Sequence, residues 1–222
     1  MEWSHAKTIR RIRPIVLILS GISILFTLPS CRNRSISALR ITPQDSIRIV
    51  SEVVTHRALV DSVFRFDPES PFKKDTTAHY QGINWYPPNL EFYFQSKLYL
   101  YSHPENVIVF GTKGEQRNEI RYGYFILPYR GKEYNLNVYK ESGSENLAVW
   151  FTDQTTGKET YNVGRYVDVG DQNPDSDHFY TIDFNNAYNP YCAYSSIYSC
   201  AIPRKEDHLD FPITAGEKKY HE

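Results

Sequence analysis

The densest run of chemically capable side chains is Asp183-Phe184-Asn185-Asn186-Ala187-Tyr188-Asn189-Pro190-Tyr191-Cys192, continuing to Cys200. Asp183 and Asn185 stand two residues apart, so at a strand end their side chains share a face. Asn189-Pro190 opens a turn, where short amides commonly satisfy backbone groups. Such residues either pin a loop through their own hydrogen bonds or edge a pocket that offers oxygens and amides to a ligand. Cys192 and Cys200 end the stretch. An even pair of thiols in an exported chain reads first as a disulfide, with two free buried thiols or metal ligation as alternatives. Zinc normally takes four ligands, and this C-x7-C pair supplies two.

Other motifs fail on their own chemistry. Thr155-Thr156-Gly157-Lys158-Glu159-Thr160 has the look of a phosphate loop, but Thr152 stands where the first glycine belongs and Glu159 follows the lysine, so a hairpin turn is expected. Asp171 to Asp177 alternates oxygen-bearing side chains as calcium loops do, yet it lacks the turn glycine and has Ile182 in place of the bidentate glutamate. The chain contains no GxSxG elbow, HExxH pair or C-x-x-C motif. No cofactor or metal is therefore expected.

At the other end of the chain, Cys31 carries a different chemistry. Lys7, Arg10, Arg11 and Arg13 precede an apolar run from Ile15 to Leu28, the order of a signal peptide. That run spans only about 21 Å as a helix, short of a roughly 30 Å hydrocarbon core. Leu28-Pro29-Ser30-Cys31 then resembles the lipobox of bacterial lipoproteins, which implies cleavage before Cys31 and a lipid on its sulfur. Two or more acyl chains hold a protein on a membrane stably. The expected organisation is a signal peptide over 1–30, a tether over 31–41 and one β-rich domain over 42–222. Arg32, rather than aspartate, after the cysteine leans toward the outer membrane. The formal charge is −1, and becomes −4 once the four basic residues and one acid of the leader are gone, so no nucleic-acid partner is expected.

The elements that must position these residues show in the periodicity. Thr42-Pro43-Gln44-Asp45 supplies an N-cap, a proline at the first helical position and an acid three residues after the cap. Ile47, Val50, Val54 and Ala58, widened by Val53, Val60, Val63 and Phe64, predict an amphipathic helix of roughly 20 residues that ends before Asp67-Pro68. From Tyr80 the period changes to two: Leu90, Phe92, Phe94, Leu98 and Leu100 point inward, with Glu91, Tyr93, Gln95 and Lys97 outward. Further strands are expected at 107–110, 120–127, 134–139, 147–152, 160–163, 166–169, 179–184 and 209–213, with hairpin turns at Arg130-Gly131-Lys132 and 153–158. The fold class is mainly β, an antiparallel sandwich or open barrel with one N-terminal amphipathic helix. Eighteen tyrosines suit half-wet strand faces or a ring-lined groove.

Several blocks together resemble an uncharacterised bacterial family, domain of unknown function 1684. Asp183 to Ala193 is similar to its D-F-N-x-A-x-N-P-x-C-A signature. Phe151, Asp153, Thr156, Gly157, Thr160, Tyr161, Gly164 and Arg165 follow its F-x-D-x-x-[ST]-G-x-x-T-Y-x-x-G-R block, and Ala215-Gly216-Glu217-Lys218 its closing A-G-E-K. Ser70-Pro71-Phe72 and Gly82 to Pro87 match two earlier elements. After Cys200 the family pattern C-P-x-P-P-x-x-N-R gives way to Ala201, Arg204, Asp207 and His208. The resemblance implies no reaction, substrate or cofactor.

Three functions remain in view. A non-catalytic module on the cell envelope would bind a glycan, peptide or protein through Arg165, Asp183, Asn185, Asn189 and Glu217. A hydrolase would use Asp183 with His178 or Glu217. An assembly lipoprotein would dock a partner on a strand edge. A titratable group perturbed inside a concave pocket favours the enzyme, an aromatic groove the binder, and a long uncovered edge the assembly protein.

Overall fold

The computed structural model describes residues 41–141 and 143–221. The expected signal peptide, Cys31 and all but the last residue of the expected tether lie outside the described residues. Helix α1 (Pro43–Phe66) starts as its local sequence dictates, with Pro43 at N1, Thr42 Oγ1 accepting from Asp45 N–H at 3.1 Å, and Asp67 at the C-cap. Its buried face differs from the expected stripe. Ile49, Val53 and Phe64 are buried, whereas Ile47 and Val54 are 66% and 56% exposed. The cause is Arg57, which sits on the docked face and donates to Tyr86 O at 2.8 Å and Asn185 O at 3.0 Å. A stripe drawn through apolar residues alone is rotated away from that arginine.

A short helix, α2 (Pro71–Lys74), capped by Ser70, turns the chain toward the sheets. Strand β1 (Tyr93–Lys97) pairs antiparallel with β7 (Phe179–Asp183), setting Tyr93 opposite Asp183. Strands β2 (Tyr99–Phe110), β3 (Gln116–Tyr129) and β4 (Lys132–Lys140) form an antiparallel meander. Arg130 at φ 47° and Gly131 at φ 79° make the tight β3–β4 turn, a two-residue loop with both φ values positive. The third sheet is smaller: β5 (Trp150–Asp153) pairs antiparallel with β6 (Arg165–Tyr166) and parallel with β8 (His208–Leu209). The protein is mainly β and mostly antiparallel with an N-terminal helix, and none of these sheets closes into a barrel.

One core serves the sheets together, built from Phe92, Phe94, Phe125, Leu127, Leu136, Phe151, Ile182 and Phe184 among others. Leu90 to Phe92 form a 3-10 turn rather than the start of a strand. Leu100 is 54% exposed on the outer strand β2 rather than inward, paired with Gly123 just before a bulge that interrupts the β2–β3 register between Leu100 and Glu105. Residues 160–163 form no strand. Thr160 is buried for its hydroxyl, which meets the Thr155 hydroxyl at 3.0 Å inside the turn that follows β5. Asp207, where the family pattern breaks, is a buried anchor accepting from Asn137, Tyr139, Trp150 and the Arg204 backbone.

Candidate functional site

The site is built from a clamp beneath it. Arg165 and Asp153 are buried together, with Arg165 Nη2 donating to Asp153 Oδ2 at 2.9 Å. The same guanidinium donates to the carbonyls of Ile213 at 2.9 Å, Glu217 at 3.1 Å and Ala215. The strand expected over 209–213 ends at Leu209 because the chain bends there, with Phe211 N–H donating to Leu209 O at 2.8 Å, and Ile213 O is taken by Arg165. Gly216 permits the tight path, since it adopts φ 76° and an added Cβ would lie 2.5 Å from Ala187 O.

The clamp delivers Glu217 into the interior at 0% exposure. Its Oε2 accepts from Asn189 N–H at 2.9 Å and from the Tyr194 hydroxyl, while Oε1 has no partner. Burial pushes the Glu217 carboxyl up to about 7, against the pull of Tyr194, Asn189, Arg165 and Arg57. Asn189 spends its amide nitrogen on Lys218 O at 2.8 Å and leaves Oδ1 unpaired.

Asp183 and Asn185 serve the backbone. Asn185 is fully buried; its Oδ1 accepts from Asn89 N–H at 2.6 Å and its Nδ2 donates to Asn89 O at 3.0 Å. Asp183 caps the 3-10 turn Phe184–Asn186, accepting from Asn185 N–H at 3.0 Å. Burial raises its pKa, and it edges a depression of ≈ 430 Å³ that it shares with Arg48, Glu52 and His56. Glu217 and Asn189 line a different cavity. His178 stands beyond the far end of β7 from Asp183, about 16 Å away at strand rise, so the Asp183–His178 pair is not assembled.

That cavity, of ≈ 530 Å³, lies between α1 and the loop after β7. Val60, Val63 and Phe64 wall it from the helix, with His56 also on the lining. Trp85, Tyr166, Tyr188, Tyr191 and Tyr198 supply rings from the other elements, and Asp168, Cys200 and Glu217 complete the polar chemistry. None of the described residues that line it is Lys or Arg. Sequence reasoning offered a ring-lined groove without placing its rings, and missed Tyr194; the signal was four tyrosines from residue 188 to residue 198.

Cys192 and Cys200 are thiols in the structure, so the expected disulfide is not formed in it. They are neighbours, with Cys192 N–H donating to Cys200 Sγ at 3.4 Å. The Cys200 thiol beside it, then the Tyr161 hydroxyl, hold the Cys192 thiol down at about 6, and the same contact pushes Cys200 up. Among the described residues no cluster of three or more His, Cys, Asp or Glu is placed to hold a metal ion. The Asp171–Asp177 loop is tied by its own side chains, such as Asn173 Oδ1 accepting from Asp175 N–H at 2.9 Å.

Fold and site together define a mainly β protein whose N-terminal helix closes an aromatic pocket beside a buried carboxyl. The profile of the family described as "Protein of unknown function (DUF1684)" matches residues 78–218, and the chain belongs to that family. It is similar to an uncharacterised protein of Haloarcula marismortui, solved by NMR in solution. The two share 25% identity and a TM-score of 0.60, over 80% of this chain and 97% of that one. No curated protein matches the chain.

Proposed function

We propose that this chain is a non-catalytic binding module, exported and anchored by lipid on Cys31 to the cell envelope, most readily the outer membrane. Its ligand enters the pocket between α1 and the tyrosine loop. The observation that carries this reading is Glu217, a lining residue of an aromatic cavity whose buried Oε1 is an acceptor without a partner. A buried, unsatisfied oxygen costs about 1 to 3 kcal/mol, which a bound donor would recover. The lining is largely apolar, so it suits a compact apolar group, free or carried by a peptide or protein partner, better than a glycan with many hydroxyls to satisfy. The sequence of the first thirty-one residues supports export and anchoring, and among the described residues no helix is long and apolar enough to cross a membrane.

The test is a fragment titration of the full-length protein in detergent, read from the Trp85 and tyrosine resonances. Fragments that shift Trp85 and Tyr188 support the reading. A library that leaves every pocket resonance in place sinks it.

A hydrolase is the second reading, favoured by one observation: the raised pKa of Glu217 suits a general acid. Turnover of a peptide, ester or glycoside that vanishes in Glu217→Gln would establish it in place of simple binding.

A further inference from the structure

The rings of the pocket are arranged as a box. Tyr166 and Tyr188 meet edge to face at 5.9 Å, and Tyr191 and Tyr198 do so at 5.2 Å, both pairs at 70° between planes. Phe64 joins them from the helix, with its ring 6.2 Å from that of Tyr191. Steeply inclined rings around a cavity are the geometry in which aromatic faces receive a cation. The wall already holds one such contact from outside the lining, since the Arg57 guanidinium lies over the Trp85 ring at 4.6 Å.

The charges point the same way. Asp168 and Glu217 line the pocket, and Asp168 also orients the wall by accepting from the Tyr188 hydroxyl at 3.0 Å. Their fixed counter-charges are engaged elsewhere. Arg165 is paired with Asp153 and capped by carbonyls, and Arg57 donates to Tyr86 O and Asn185 O. The lining itself therefore carries two carboxyls, of Asp168 and Glu217, beside His56 and no lysine or arginine. An anionic ligand meets no lysine or arginine among the described lining residues, and a neutral one packs on the rings but leaves Asp168 and Glu217 without a counter-charge.

Resting on the binding reading above, we propose that the pocket selects small organic cations, in which an apolar or aromatic body fills the ring box and an ammonium group donates to Glu217 Oε1. Van der Waals contact with Val60, Val63 and Phe64 would hold the body. The tyrosine faces and Asp168 would hold the charge, joined by Glu217 once the bound cation draws off its proton.

Three probes of one shape and different charge test this: phenethylammonium, phenethyl alcohol and phenylacetate, each titrated at constant ionic strength into the full-length protein in detergent. Trp85 and Tyr188 resonances report occupancy. The cation should bind about tenfold more tightly than the alcohol, a desolvated cation–π and ion contact of ordinary strength, and phenylacetate should bind weakest. Asp168→Asn changes an exposed side chain, so the fold should survive, and the preference for the cation should fall about threefold in it. Glu217→Gln should abolish that preference while the alcohol still binds. Equal affinity for cation and alcohol, or a cation preference unchanged in both variants, overturns the inference and leaves a binding pocket standing. Failure of all three probes to move any pocket resonance also overturns the inference, while the binding reading stands or falls on the fragment titration.

Discussion

At the scale of single residues, Glu217 makes the sharpest statement, because burial holds its carboxyl at about 7 against an ordinary value of 4.5. The folded protein thus keeps a proton that the unfolded chain releases, so stability falls as pH rises between those two values and the loss is complete above the upper one. The penalty is roughly 3 kcal/mol at the usual energy per pKa unit. Urea unfolding at pH 5 and pH 8 should show that loss in the parent and a much flatter profile in Glu217→Gln; equal slopes would mean that Glu217 is charged at both pH values. Cys192 yields a second prediction. With its thiol near 6, reduced folded protein at neutral pH should be alkylated at Cys192 well before Cys200, as read by peptide mapping. Faster labelling of Cys200 would contradict the paired geometry. Protein taken from an oxidising compartment should instead gain about 2 Da on reduction, the mark of a closed disulfide.

At the scale of elements, legibility followed the range of the interactions. Helix α1 was readable to its caps, since the Thr42–Asp45 box and the Asp67-Pro68 stop are local chemistry. The β3–β4 hairpin was equally plain from Arg130-Gly131. The short strands were not, because period-two hydrophobicity says that a residue is buried and not what its backbone pairs with. Residues 209–213 alternate as a strand should, yet past Leu209 the chain bends on a Phe211 N–H to Leu209 O bond, and from Ile213 onward Arg165 of β6 binds the carbonyls of residues 213, 215 and 217. The same limit applied to the site: Asp183 and Asn185 were conspicuous by type and serve the backbone, while Glu217 matters through Tyr194 and Asn189, which meet it only in three dimensions. Arg165→Lys keeps a charge for Asp153 but loses the planar fork, and should cost about 2 to 4 kcal/mol in urea unfolding. Arg165→Met, which strands Asp153, should cost about 3 to 5 kcal/mol. A loss under about 1 kcal/mol in both would show that the 213–217 segment is held by something else.

At the scale of the whole molecule, the anchor proposed at Cys31 would decide where the pocket operates. Cys31→Ala should release the exported protein from membranes and abolish lipid labelling; retention through a carbonate wash would require another attachment. Helix α1 is both a wall of the pocket and the element that follows the tether directly. Cys31 precedes Thr42 by eleven residues, a reach of at most about 40 Å when fully extended. A lipid at Cys31 would therefore confine the pocket's search for ligand to a layer one protein diameter deep against the bilayer. Any tension on the anchor would arrive first at the N-terminus of α1, at the end of a pocket wall.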